Sequence, residues 1–352
     1  MVLRSADPLN CETPISALMG GTVTRNENFY VRNHFRVPAI DGARWRLEVG
    51  GLVRRPLRLG ITDLVNLPAQ VQTATLECAG NGRAFLAPPV SGEQWELGAV
   101  STAEWTGVRL AEVLDRAGLQ SGAQEAVFRA ADRAIGKHSP GAGRFERSLT
   151  LDEVHQADVL LAYAMNGQPL PIQHGYPLRV IVPGWYGVAA VKWLTEIEVV
   201  GEPFRGYFQA EKYVCEWERD GRLEREPVRQ MRVRSLITEP DADGEVDIGP
   251  LAIRGLAWSG VAPLARVDVS VSGGAWEPAK LFGQPSKCCW QRWELLTKVS
   301  GPGRIALRSR ATDGAGRTQP EQAEWNRLGY GNNAIQEVSV RARRPSSRFA
   351  GR

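Results

Sequence analysis

At 352 residues, 43% hydrophobic and 23% charged, the chain exceeds what one hydrophobic core usually supports and is expected to fold as two domains. Its formal net charge of +4 excludes a broad nucleic-acid surface, leaving one basic run (Arg341, Arg343, Arg344, Arg348, Arg352) that reads as a disordered tail over residues 343–352. No apolar stretch of about 18 residues exists to span a bilayer. Met1-Val2-Leu3-Arg4-Ser5-Ala6-Asp7-Pro8 has no secretion-signal pattern, so a cytoplasmic location is expected, or a periplasmic one if a leader was removed.

Along the first two thirds, strand and helix signals mix. Trp45, Leu47 and Val49 alternate with Arg46 and Glu48 and run into Gly50-Gly51, the pattern of a half-buried strand. Thr62 to Val65, stopped by Pro68, predicts a short helix. After Gly107, the spacing of Leu110, Val113, Leu114 and Ala117 predicts a helix ending at Gly118. Thr150-Leu151-Asp152-Glu153 has capping-box form and opens another. Leu178 to Val182 is β-rich and ends at Pro183-Gly184. Beyond about Arg232 helical periodicity gives way to short alternating runs: Val267, Val269, Val271; then Ile305, Leu307, Ser309; then Val338, Val340. Several such strands within roughly 110 residues are what a β-sandwich requires. The boundary is placed in the polar stretch Gly221 to Val233.

Several chemistries are missing. There is no G-x-S-x-G and no H-E-x-x-H, and Gly136-Lys137 is followed by His138 where a Walker A loop needs Ser or Thr. Five cysteines (Cys11, Cys78, Cys215, Cys288, Cys289) are odd in number and mostly far apart, which argues against a disulfide framework. Adjacent Cys288 and Cys289 are poorly spaced for zinc.

The distinctive stretch is Thr75-Leu76-Glu77-Cys78-Ala79-Gly80-Asn81-Gly82-Arg83. A cysteine at a strand-to-turn junction lets the backbone approach another group, and Arg83 would favour thiolate, the soft donor a transition metal accepts. A lone cysteine is more often a core residue. Read singly, Arg32, Arg179 and Lys192 are also ordinary ion-pair partners, and His34 and His174 ordinary core histidines.

Cys78-Ala79-Gly80-Asn81-x-Arg83 resembles the molybdenum-ligand motif of the sulfite oxidase family. Arg32-Asn33-His34-Phe35-Arg36-Val37-Pro38 is similar to another family segment, and so are Trp95-Glu96-Leu97-Gly98-Ala99 and Leu160 through Pro171. His174-Gly175-Tyr176-Pro177-Leu178-Arg179, Val191-Lys192-Trp193-Leu194 and Trp325-Asn326 follow in family order, so the likeness runs from about Asn28 to Val340. The resemblance implies an α+β fold: a molybdopterin-binding catalytic domain over 1–228, then an immunoglobulin-like dimerisation domain over 229–342.

By the same resemblance Cys78 binds molybdenum, Arg32 and Arg83 flank a pocket for a small oxyanion, Tyr213 donates a hydrogen bond and Trp95 walls the pocket. Asn33, His34, Asp132, His174, Arg179 and Lys192 fall where the family grips the molybdopterin. The implied reaction is oxidation of sulfite to sulfate by a homodimer, with electrons passed to an external acceptor such as a cytochrome c. No Cys-x-x-Cys-His haem site is present, and no length is expected for an attached haem domain. One departure stands out: where the family has an arginine two residues after Trp-Asn, this chain has Leu328, with Arg327 one position early. Either Arg327 reaches the pocket or the anion site is less cationic. A reductase of nitrate or an S-oxide on the same metal, and a non-catalytic binding module, are the alternatives.

Overall fold

The alternation Trp45, Leu47, Val49 becomes the strand Leu47–Gly51 of a computed structural model that describes residues 1–134 and 143–344. His138 and positions 345–352 of the expected tail lie outside the described residues, whereas Arg343 closes the strand Glu337–Arg343. Contacts divide the chain into two units. The first comprises Met1–Pro14, Val23–Met231 and Glu324–Asn332; the second comprises Ile15–Thr22, Arg232–Ala323 and the residues from Asn333 onward.

Beside the hairpins Val2–Ala6 with Leu9–Glu12 and Val214–Arg219 with Arg222–Pro227, two five-stranded sheets build most of the first unit. One runs in the order Leu57–Leu59, Leu47–Gly51, Leu194–Val200, Glu125–Arg133, Arg144–Thr150. Its pairings are antiparallel except Leu194–Val200 with Leu47–Gly51, where Ile197 stands opposite Val49. The other runs Gln168–Pro169, Leu160–Met165, Val100–Arg109, Gln70–Glu77, and Arg179–Ile181 also pairs with Leu160–Met165. The helix Leu110–Ala117 buries Leu110, Val113, Leu114 and Ala117, the residues its spacing singled out. Each fully buried Leu or Val contributes roughly 1.5–3 kcal/mol. Gly118 ends the helix at φ 70°, where a Cβ would be strained, and its N–H donates to the Leu114 carbonyl at 2.8 Å. At Leu151–Gln156 the Glu153 N–H donates to the Thr150 hydroxyl at 3.1 Å, while the Thr150 N–H donates to the Glu153 carboxylate at 2.9 Å.

The second unit is the expected sandwich. One sheet runs Arg234–Glu239, Gly249–Trp258, Gln291–Val299, Lys280–Phe282; the other runs Glu245–Asp247, Glu337–Arg343, Gly303–Asp313, Leu264–Val271, Glu277–Pro278. Val267, Val269, Ile305, Leu307, Val338 and Val340 all point into its core with Trp293 and Ile253. Sequence separation misleads at two places. Met19 accepts a hydrogen bond from the Thr238 hydroxyl at 2.6 Å, and the Trp290 indole donates to the Thr22 carbonyl at 2.8 Å, which places an N-terminal segment in the second unit. Glu324–Asn332 conversely belongs to the first.

Candidate active site

The strand Gln70–Glu77 stops one residue before Cys78, and a turn takes over: the Asn81 N–H donates to the Cys78 carbonyl at 2.9 Å and the Arg83 N–H to the Gly80 carbonyl at 3.0 Å. The Cys78 N–H is still held by the Ala99 carbonyl at 2.8 Å, so the side chain sits on a rigid strand end. Its sulfur lines a cleft of about 670 Å³ of empty space with Arg32, His34, Asp132, His174, Arg179, Lys192 and Tyr213. Burial pushes the Cys78 thiol up, outweighing Arg32, the Gly80 N–H and Arg83, which favour the thiolate. Arg83 favours the thiolate, as expected, but does not offset burial; a bound cation would supply the rest.

Arg32, His34 and Tyr213 form a chain along the cleft. Arg32 Nη2 lies 3.0 Å from His34 Nδ1 and 3.3 Å from Nε2, and His34 Nε2 lies 2.7 Å from the Tyr213 hydroxyl. Burial, reinforced by Arg32 and Lys212, holds the His34 pKa well below its ordinary value, so the ring is neutral. A guanidinium can only donate. The nearer Nδ1 therefore accepts from Arg32, Nε2–H donates to the Tyr213 oxygen, and the Tyr213 proton is left to point at whatever the cleft holds. Burial also raises the Tyr213 pKa against the pull of Arg32, so the phenol stays protonated. His34 is held in place by Phe208, 4.7 Å away, and by Phe145, stacked at 5.6 Å.

Behind the cysteine lies a cationic cradle. Arg179 donates from Nη1 to the His174 carbonyl at 2.9 Å and from Nη2 to the Ala190 carbonyl at 3.2 Å, and its guanidinium lies over Trp105 at 4.8 Å. Its Nε has no partner among the described residues, nor has Asp132 Oδ1. Lys192 Nζ donates to the Asn33 side-chain oxygen and, at 2.9 Å, to the Gln173 carbonyl. Gly175, at φ 111°, lets these chains converge: a Cβ there would stand 3.1 Å from the Cβ atoms of both Arg179 and Lys192. Burial pushes Asp132 up to about 6 and Arg179 down to about 10. His174, which donates from Nε2 to the Asn26 carbonyl at 3.3 Å, is driven down to about 3 by burial and then by Lys192 and Arg179.

That last shift has a measurable sign. A histidine depressed in the folded state is protonated first in the unfolded chain, so its contribution is complete above about pH 6.5 and is lost as pH falls. His174→Gln is expected to remove one proton from the pH dependence of unfolding. Between pH 6 and 4 its stability should fall less steeply than the wild type's by roughly 1.4 kcal/mol per pH unit. Denaturant unfolding at several pH values measures it, and parallel slopes would refute it.

Two family models match the chain: "Oxidoreductase molybdopterin binding domain" over residues 34–208 and "Mo-co oxidoreductase dimerisation domain" over residues 225–343. Human mitochondrial sulfite oxidase is 38% identical over 96% of this chain, which spans 65% of that protein's length. Sulfite oxidase of Arabidopsis thaliana is 34% identical over 96% of this chain and 93% of its own. The chain belongs to the sulfite oxidase family of molybdopterin oxidoreductases. Among solved structures, the sulfane dehydrogenase SoxCD from Paracoccus pantotrophus is similar with a TM-score of 0.83 at 32% identity, covering 95% of this chain and 85% of that one.

The family's cofactor fits this cleft. Cys78 offers one soft thiolate donor to a metal, and the remaining ligands would come from the molybdopterin. Arg179 Nε and Asp132 Oδ1 are orphaned buried polar atoms of the kind a bound group satisfies. Lys192 and Arg179 offer positive charge to a phosphate, and the unprotonated His174 Nδ1 offers an acceptor.

Relative to the sulfite oxidase pattern, nine of eleven expected residues line the cleft: Cys78, Arg32, Asn33, His34, Asp132, His174, Arg179, Lys192 and Tyr213. Arg83 and Trp95 do not. Arg83 donates to the carbonyls of Glu93 at 2.9 Å and Leu328 at 3.2 Å, with Tyr330 under its guanidinium at 5.1 Å. Trp95 is fully buried in the apolar cluster behind Cys78. Arg327 does not line the cleft and pairs with Glu216, 2.6 Å away. Tyr30, Phe145 and Trp193 line the cleft without having been singled out. Tyr30 adjoins a recognised motif; Phe145 and Trp193 carried no signal beyond aromaticity.

Proposed function

We propose that this chain oxidises sulfite to sulfate in two one-electron deliveries to an external acceptor, with Cys78 as the protein's ligand to molybdenum. The bound cofactor would supply the redox couple and the oxygen-transfer chemistry. Arg32 would bind a sulfite oxygen through charge-assisted hydrogen bonds, and Tyr213, oriented by neutral His34, would donate to developing negative charge without itself ionising. Arg179, Lys192, His174, Asp132 and Asn33 would hold the molybdopterin. The observation that carries this reading is the shared cleft, which brings the Cys78 sulfur together with Arg32 and Tyr213, the last two joined through His34.

Protein from a cofactor-competent host should contain molybdenum and reduce ferricyanide or cytochrome c with sulfite. Loaded protein that reduces neither would refute the reaction. A second reading keeps the metal site and changes the substrate, because Leu328 stands at the family's arginine position and Arg327 pairs with Glu216 instead of lining the cleft. Sulfane sulfur, the substrate class named for SoxCD, and nitrate or an S-oxide with a viologen donor are the comparisons to run. A homodimer through the second unit is proposed from the matched dimerisation model. A reducing cytoplasm is proposed from the odd number and wide spacing of the cysteines. Among the described residues no helix is long and apolar enough to cross a membrane.

A further inference from the structure

The Arg32 guanidinium, whose Nη1 also donates to the Asn33 carbonyl, is contacted from the N-terminal hairpin by a residue that no motif marks. Asn10, in the strand Leu9–Glu12, is fully buried at 0% exposure, and its amide uses all four of its hydrogen-bonding sites. Its oxygen accepts from the Asn33 N–H at 2.7 Å and from Arg32 Nη1 at 3.3 Å. Its nitrogen donates to the Pro8 carbonyl at 3.1 Å and to the Glu93 carboxylate at 3.3 Å. Flipping the amide would set donors against donors and oxygens against oxygens, so one orientation is allowed. Aspartate would turn an oxygen on the Glu93 carboxylate and the Pro8 carbonyl, so asparagine is required here. The next residue fixes the register: Cys11 and Val31 exchange N–H to carbonyl bonds of 2.9 Å each. Glu93 faces the same arginine as a counter-charge, raising its proton affinity, and its own carbonyl accepts from Arg83.

We infer that Asn10 is a positioning residue of the anion site, aiming Arg32 through its side-chain oxygen, and that Glu93 behind it sets how strongly the site attracts an anion. A neutral amide between a carboxylate and a guanidinium separates two jobs. It keeps Arg32 from collapsing into a direct ion pair with Glu93, and it keeps the outward face of the guanidinium for a small oxyanion. With Glu93 present the site is tuned toward anions of low charge.

The inference rests on Arg32 binding the substrate anion, and the experiment separates the two. Inorganic sulfate is titrated by thermal shift into cofactor-loaded wild type, Arg32→Met, Asn10→Leu and Glu93→Gln, and sulfite kinetics are measured alongside. Asn10→Leu should weaken sulfate binding and raise KM about tenfold, the scale of one charge-assisted contact, with kcat moved far less. Glu93→Gln keeps shape and an acceptor for Asn10 but removes the charge, so sulfate should bind roughly threefold tighter. A merely structural Asn10 would lower the melting temperature without moving sulfate affinity or KM. If Asn10→Leu does not fold, the opposite-signed Glu93→Gln result still decides. Arg32→Met with wild-type sulfate affinity would overturn the anion-site reading and this inference together. Loss of binding in Arg32→Met with no change in the other two would overturn only the inference.

Discussion

Cys78→Ser is expected to yield a folded chain that retains no molybdenum and shows no measurable turnover. Among the described residues the sulfur is the soft donor lining the cleft, and a serine oxygen is both harder and far less readily deprotonated. The fold has little reason to notice. Both hydrogen bonds that define the turn, to the Ala99 carbonyl and from the Asn81 N–H, are main-chain bonds. The Gly80 N–H that serves the sulfur can serve a hydroxyl, which keeps the stability change within about 1 kcal/mol. Metal analysis, circular dichroism and the sulfite assay on one preparation test all three parts. Retained turnover would return Cys78 to the core-residue reading, and a collapsed fold would make the activity loss uninformative.

Much of the first unit was legible because its signals are local. A helix such as Leu110–Ala117 announces itself by four apolar residues at helical spacing and a glycine where φ turns positive. The capping box at Thr150 is likewise complete within four residues. The strands of the sandwich were readable from period-two alternation, since a one-residue slip would turn Val267, Val269 or Leu307 to solvent. What alternation cannot show is partnership at long range. Nothing in Ile15–Thr22 says that it pairs with residues more than 200 positions away, and nothing in Glu324–Asn332 says that it leaves the sandwich.

The site divides the same way. Residues inside contiguous motifs, Arg32 to His34 and His174 to Arg179, were legible because the motif fixes their neighbours. Arg83 was legible as a residue but not in its contacts, which depend on carbonyls of Glu93 and Leu328, the latter 245 positions away. Arg327 shows the reverse error of reading charge without geometry: a buried Glu216 oxygen captures it before it can reach the cleft. Asn10 was invisible, because an isolated asparagine near a terminus looks like a turn residue until the hairpin brings it to Arg32.

Arg32→Met is expected to lower kcat/KM for sulfite by about 10² to 10³, the scale of losing one oriented donor to developing anionic charge. Methionine fills the space of the stem, so the loss belongs to the charge and its hydrogen bonds. His34 loses its donor at Nδ1 as well, which frees the imidazole to take the other tautomer and to accept from Tyr213. A second effect follows: the Tyr213 proton would then turn toward His34 and away from the cleft, so kcat should fall along with affinity. Arg32→Lys discriminates between charge and orientation. An ammonium restores the positive charge but cannot reproduce the guanidinium fork that reaches Asn10 and His34 together. If charge alone mattered, lysine would recover most of the activity. On this geometry it should recover affinity for the anion more than kcat, and recovery of both to wild-type values would show that the Arg32–His34–Tyr213 chain does not orient the phenol.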